Sequence, residues 1–278
     1  LRQKRAVGES GLHVPLLVRY PNGFRAGETD TRIVSLMDLG PTVLSILGIE
    51  PPKYMDGKAF AGPYQQAARR YIFGSADRFD ECTDMQRSVL DGRYVYIKNF
   101  MPELPLIYRN KYREQIPMNK RLIELNLAGK LHGNAAYIFM SKKPIEELYD
   151  LETDPYEVNN LANNPDYFEK LEELRSQLSQ WQIQIKDRGF TPESEIINEF
   201  WPDMKQPITA DVEIEKHNNI MTLSCKTEGA SIAYQLGSSI GFNHWQLYSK
   251  PVPIKSNEKI SARAIRIGYK ASNITTSN

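Results

Sequence analysis

The chain has 278 residues, more than one average core holds and about right for two domains. Hydrophobic residues make up 41% and charged residues 25%, an ordinary globular balance. Lys plus Arg number 35 against 34 Asp plus Glu, a formal net charge of +1 that excludes wholesale nucleic-acid binding but still permits a local basic pocket for a small anion. No apolar run approaches the ~18 residues a membrane span needs. No leader peptide is visible, and Leu1 followed by Arg2-Gln3-Lys4-Arg5 does not read as a natural start. Cys82 and Cys225 lie far apart, so two free thiols are expected rather than a disulfide framework.

Val14-Pro15-Leu16-Leu17-Val18-Arg19-Tyr20 is a short apolar run that stops at Asn22-Gly23, the pattern of a buried strand in an α/β sheet. Ile33 to Leu36 is a shorter extended piece. Asp38 then opens a predicted helix, with Pro41 tolerated in its first turn and Gly48 ending it. Leu39, Val43, Leu44 and Leu47 give that helix one apolar face. Tyr71 to Gly74 is a candidate strand. Residues 85–90 and 94–97 flank Asp91-Gly92, a favoured hairpin pair. The chain is irregular over 100–145, with a helix near Asn119 to Ala128. A short strand follows at 147–151. A long helix starts at Asn164-Pro165, with Phe168, Leu171, Leu174, Leu178, Trp181 and Ile185 as its core stripe. Prolines break up a linker over 191–205. Beyond it the hydrophobic period changes from 3.6 to 2, with strands at 220–225, 231–236 and 260–265. About 70 residues of strand and turn make a small β-sandwich, residues 206–278.

Three segments of the first 190 residues carry a family resemblance: Gly11 to Pro21, Val34 to Leu44, and Met55-Asp56-Gly57-Lys58. A fourth, Glu147-Leu148-Tyr149-Asp150-Leu151-Glu152-Thr153-Asp154-Pro155 through Leu161, precedes the long helix. In this order they resemble the later half of sulfatase catalytic domains, within the alkaline-phosphatase-like superfamily. The hairpin region and Met101-Pro102 are most like heparan N-sulfatase-type carbohydrate sulfatases. Glu228 to Tyr234, Tyr248 to Ile254, Ile260 to Ala264 and Gly268 to Ser272 resemble the β-sandwich module at the C-terminus of chitobiase-type hexosaminidases, with Gly237-Ser238-Ser239 where that module usually carries Asp-Gly. The implied fold class is α/β: the C-terminal part of a sulfatase fold with an antiparallel subdomain over residues 1–190, plus a small all-β sandwich.

The resemblance implies a chemistry and shows which parts of it are absent. Sulfatases use a Cys/Ser-x-Pro-x-Arg motif converted to formylglycine and a divalent cation, usually calcium, held by carboxylates. Neither Cys82 nor Cys225 has the Pro or the Arg, and the metal-binding Asp pair is missing, so no metal ligand is assigned within the chain. Lys4 stands five residues before Glu9-Ser10-Gly11, the spacing of the family's sulfate-contacting Lys, a compact cation suited to a sulfate oxygen. Arg5 takes that place if the register slips by one. Arg78, Asp80 and Glu81 follow a strand end and would border the substrate pocket, where an Arg can pair with a sulfate or carboxylate. A surface loop with internal ion pairs is the alternative for this trio. His13, His132, His217 and His244 show no ligand spacing. Trp245 and Tyr248 suit either sugar stacking or core packing.

The expected protein hydrolyses sulfate from a sulfated carbohydrate once an N-terminal part supplies formylglycine and calcium, and this chain alone is expected to be inactive. Its expected partners are that carbohydrate and that N-terminal part, with no nucleic acid and no membrane span; the family suggests a periplasmic or secreted setting. Alternatives are a phosphodiesterase or phosphonate hydrolase on the same scaffold, or a non-catalytic carbohydrate-binding adaptor.

Overall fold

The computed structural model of the chain describes residues 6–79, 81–107, 109–237 and 244–277. In chain order the first unit forms α1 (Glu9–Leu12), α2 (Leu39–Ile46), β1 (Ile72–Phe79), β2 (Cys82–Leu90) and β3 (Tyr94–Asn99). Three helices follow: α3 (Lys111–Glu114), α4 (Pro117–Leu127) and α5 (Asn134–Tyr137). Then come β4 (Glu146–Asp150) and the long α6 (Phe168–Gln184).

The fold grows outward from the Asp91-Gly92 hairpin. Gly92 sits at φ 98°, where a Cβ would be strained. The Asp91 carboxylate accepts the N–H groups of Tyr94 at 2.7 Å and Arg93 at 3.1 Å, which closes the turn. The strands extend it into one antiparallel sheet, ordered β1-β2-β3-β4. Alternation gives the sheet two buried faces. Val89, Tyr96 and Leu148 meet Leu171, Leu174 and Leu178 of α6, the stripe the sequence shows. Phe73 stacks on Trp181 with centroids 4.9 Å apart. On the opposite face Ala76, Val95, Ile97 and Tyr149 are covered by Val7, from the N-terminal segment.

Two expectations fail in this unit. Val14 to Tyr20 forms no strand: it is extended but unpaired, and Leu17 is 95% exposed. Its apolar run suits a central strand, yet no described segment offers it a ladder partner, and strands form only in pairs. Helix α2 forms where expected, but Leu39, Val43 and Leu47 are exposed while Pro41, Thr42 and Ser45 are buried. The helix is held to the described chain by its small polar face. Thr42 Oγ1 accepts the Phe60 N–H at 3.0 Å and Ser45 Oγ that of Tyr64 at 2.9 Å.

The chain divides into two compact units, Leu1–Gly189 and Phe190–Asn278. The second unit begins with α7 (Glu193–Phe200), so residues read as linker are partly helical. It continues with β5 (Val212–His217), β6 (Ile220–Cys225), β7 (Ser231–Leu236), β8 (Gln246–Leu247), β9 (Val252–Pro253), β10 (Ile260–Ile265) and β11 (Thr275–Ser277). Two sheets, β11-β10-β7-β8 and β5-β6-β9, enclose Val212, Met221, Leu223, Ile232, Tyr234, Ile260, Ala262 and Ala264. Tyr248 packs against this core, edge-on to Tyr234. Neither cysteine forms a disulfide. No described helix is long and apolar enough to cross a membrane.

Candidate functional site

The residues nearest in sequence to the expected sulfate contact are pinned to the sheet. Val7 is buried on the β1–β4 face, and Leu12 reaches Gly74, where an added Cβ would stand 2.9 Å from it. Between these anchors the backbone meets Glu157. Its Oε1 accepts the Glu9 N–H at 2.8 Å, and a Cβ on Gly8 would fall 2.4 Å from the same oxygen. Glu157 is itself buried and takes φ 52°, a conformation uncommon for a residue with a side chain. It is presented by the turn in which Asp154 Oδ2 accepts the Val158 and Asn159 N–H groups, each at 2.7 Å. The Asp154-to-Leu161 motif therefore grips the Val7-to-Leu12 segment.

The sheet face under that segment also carries a buried polar chain. Gln86 Nε2 donates to Asn99 Oδ1, Asn99 Nδ2 to Glu147 Oε1 at 2.7 Å, and the Tyr149 hydroxyl to Glu147 Oε2 at 2.6 Å. Asn99 and Glu147 are buried, and these bonds satisfy their polar groups within the sheet.

Lys4 and Asp80 lie outside the described residues. Arg78 is exposed near the β1–β2 hairpin tip, just past a bulge after Ala76. Glu81 is exposed and engages the start of α3. Its carboxylate accepts the Lys111 N–H at 2.9 Å and Asn110 Nδ2 at 3.2 Å, and so docks the hairpin onto the start of α3. Cys82 Sγ adds a contact to the Arg109 carbonyl at 3.3 Å. Arg78 and Glu81 thus share the β1–β2 hairpin tip. Among the described residues no group of three His, Cys, Asp or Glu side chains could hold a metal ion.

A second carboxylate organises the segment after the apolar run. Asp38 is buried and accepts the Ser35 N–H at 2.8 Å, the Lys58 N–H at 2.6 Å and the Arg69 guanidinium. Burial opposes its ionisation, but Arg69 and the two N–H groups outweigh that and hold the carboxyl below its ordinary range. It knits three loops together and leaves no lone pair obviously free for chemistry.

Glu157 was not singled out from the sequence. The signal that could have found it is a lone acidic residue at a tight turn, two past Asp154-Pro155, inside a motif otherwise made of turn formers.

A family profile described as "N-sulphoglucosamine sulphohydrolase, C-terminal" matches residues 1–72. An ulvan-active sulfatase of Formosa agariphila is 41% identical over 274 residues, covering 98% of this chain and 46% of that protein. Human N-sulphoglucosamine sulphohydrolase is 27% identical over 215 residues, covering 71% of this chain and 42% of that protein. A solved structure of a 2-O GAG sulfatase aligns with 54% of this chain and 25% of its own, at TM-score 0.36 and 24% identity. The chain spans about half the length of the first curated relative it matches. By the 41% identity over 98% of its length the chain belongs to the sulfatase family, and the profile match makes it the C-terminal part of such a protein.

Proposed function

We propose that the chain is the C-terminal portion of an enzyme that hydrolyses sulfate esters, or N-sulfate, of a carbohydrate. The observation that carries this is the 41% identity to an ulvan-active sulfatase, sustained over 98% of the chain and hence through both units. The relatives' names point to carbohydrate, and they differ in the sugar, so the proposal stops at that class.

In this reading a formylglycine nucleophile and a divalent cation, calcium by family precedent, are supplied by an N-terminal part, because the described residues offer no site for the metal. The cation would polarise the sulfate when bound. This chain's own contribution is positional. Lys4 contacts a sulfate oxygen and offsets negative charge there. The described residues that follow it in sequence, Val7, Gly8 and Glu9, are fixed by the sheet and by Glu157. Arg78, Asp80 and Glu81 would border the pocket that a sugar's anionic groups enter. The exposed apolar residues Val14, Leu16, Leu17, Val18, Leu39, Val43 and Leu47 pack against the N-terminal part, which supplies the strands that Val14 to Tyr20 lacks.

The test is sulfate release by the whole polypeptide that contains this chain, comparing wild type with Lys4→Ala and Lys4→Arg. A sulfate-contacting Lys gives a loss of about 100-fold or more in kcat for Lys4→Ala. Unchanged kcat in Lys4→Ala sinks the assignment of Lys4, and release of phosphate but not sulfate sinks the sulfatase reading.

A further inference from the structure

Charge is unevenly distributed along the chain. Residues 101–143 contain eight Lys and Arg (109, 111, 113, 120, 121, 130, 142 and 143) against three Glu (103, 114 and 124), a balance of +5. The remaining residues hold 27 basic against 31 acidic. The basic excess sits in one structural feature, the helical excursion that leaves the sheet after Asn99 and returns at Glu146.

Its base is firmly tied down. The buried Lys143 ammonium bridges both Asp84 oxygens at 2.7 and 2.8 Å, and Asn99 Nδ2 donates to the Pro144 carbonyl at 2.7 Å. Glu81 holds the start of α3, and the Asn110 side chain caps it by accepting the Arg113 N–H at 3.0 Å. Some cations are used internally: Arg109 pairs with Glu114, and Arg121 with Glu124. Lys111, Lys120, Lys130 and Lys142 are different. All four are exposed, and none of their ammonium groups meets a carboxylate among the described residues. Tyr112, beside Lys111, exposes two-thirds of its surface. A tethered scaffold that spends its acidic partners at the base and turns lysines and an aromatic ring outward suits a polymer with spaced anionic groups and sugar-ring faces.

We infer that the Lys111–Lys142 excursion is a binding surface for a sulfated polysaccharide chain, holding it away from the bond being cleaved. The choice of a polysaccharide among polyanions rests on the carbohydrate reading above; the surface itself rests on the charge and exposure of these residues. The overall charge of +1 argues against nucleic acid as the partner.

The experiment measures binding without catalysis, so its failure is separable from failure of the hydrolase reading. The full 278-residue chain is titrated with dextran sulfate at low salt, with uncharged dextran, duplex DNA and anionic phospholipid vesicles as parallel probes. A variant with Lys111, Lys120, Lys130 and Lys142 all changed to Gln is compared with a control carrying Lys205, Lys250, Lys255 and Lys270 changed to Gln in the second unit. The expected result is tight dextran sulfate binding, weakened about tenfold in the first variant and less than about twofold in the control. Circular dichroism must be unchanged in both, which is expected because all eight side chains are exposed. Equal weakening in the two variants, no dextran sulfate binding by wild type, or DNA or vesicles bound as tightly as dextran sulfate overturns the inference.

Discussion

Arg87 is the most demanding interior charge in the first unit, and its removal gives a sharp quantitative expectation. Its side chain is 2% exposed, yet five donor contacts satisfy it. Nε and Nη2 each reach the Asp187 carboxylate at 2.8 Å, Nη1 and Nη2 reach Asp77 at 2.7 and 3.3 Å, and Nη1 reaches the Gln86 carbonyl at 2.8 Å. The two carboxylates are unequal. Asp187 is 9% exposed and ends the turn after α6, whereas Asp77 is 49% exposed at the bulge of β1. The Arg87 hydrogen bonds, opposed by burial, hold the Asp187 carboxyl well below its ordinary range. Arg87→Met strands that buried carboxylate with only Gln182 and the Gly189 N–H, and costs about 3–5 kcal/mol. That is about a fifth or more of the ~5–15 kcal/mol that holds a typical domain. Asp77→Asn, at a half-exposed site, costs about 1 kcal/mol or less. Arg87→Met with Asp187→Leu removes both charges and recovers much of the loss. Gly189→Ala mimics the single loss sterically, because a Cβ there would stand 2.1 Å from Arg87 Nη2. The assay is urea unfolding followed by Trp181 fluorescence, with Trp201 and Trp245 changed to Phe so that the signal reports the first unit. An Arg87→Met penalty under about 1 kcal/mol, or one matched by Asp77→Asn, would refute the reasoning.

Further outcomes follow from the same contacts. Glu157→Ala removes the acceptor of the Glu9 N–H and costs about 1.5–3 kcal/mol locally, so the Glu9 amide should exchange with solvent faster while amides of α6 do not; Glu157→Gln, which keeps an acceptor, should lose less. Glu146 is held down to about 2, first by the Arg175 hydrogen bonds and also by Tyr96 and Lys98, with burial opposing. Its folded value lies below the unfolded 4.5, so the stabilisation is complete above pH ~4.5 and lost as pH falls toward 2. After screening this amounts to about 1–2 kcal/mol, and Glu146→Gln should flatten the acid limb of a stability-versus-pH curve. The exposed apolar run should make the 278-residue chain self-associate; Leu17→Asp with Val43→Asp should raise its monomer fraction in sedimentation velocity, and a monodisperse wild-type monomer at high concentration would contradict this.

Local signals in the sequence carried most of the fold. The Asp91-Gly92 pair, the 3.6-residue stripe of α6 and the period-2 runs at 220–225, 231–236 and 260–265 each encode an element through its own neighbours, and each forms where expected. The apolar run at Val14 to Tyr20 does not, because a strand is a property of two segments and its partner is not among those described. Helix α2 shows the same limit from the other side: the stripe Leu39, Val43, Leu47 predicts a buried face, and the described chain leaves it uncovered. In the candidate site, Lys4 was reached through motif spacing alone. Glu157 was missed because its importance lies in a contact with Glu9, 148 residues away, which no periodicity announces. Glu81 was legible as a loop carboxylate, but its engagement with Asn110 and Lys111 depends on how an irregular stretch folds back.

The most direct test of the account is sulfate release, read by ion chromatography, from sulfated polysaccharide and from N- and 6-O-sulfated glucosamine. Three samples suffice: the 278-residue chain, the whole polypeptide that contains it, and that polypeptide with Lys4→Ala. The account predicts release by the whole polypeptide, a loss of about 100-fold or more with Lys4→Ala, and none from the 278 residues alone. Release by the 278-residue chain, or none by the whole polypeptide on any sulfated carbohydrate, would contradict it.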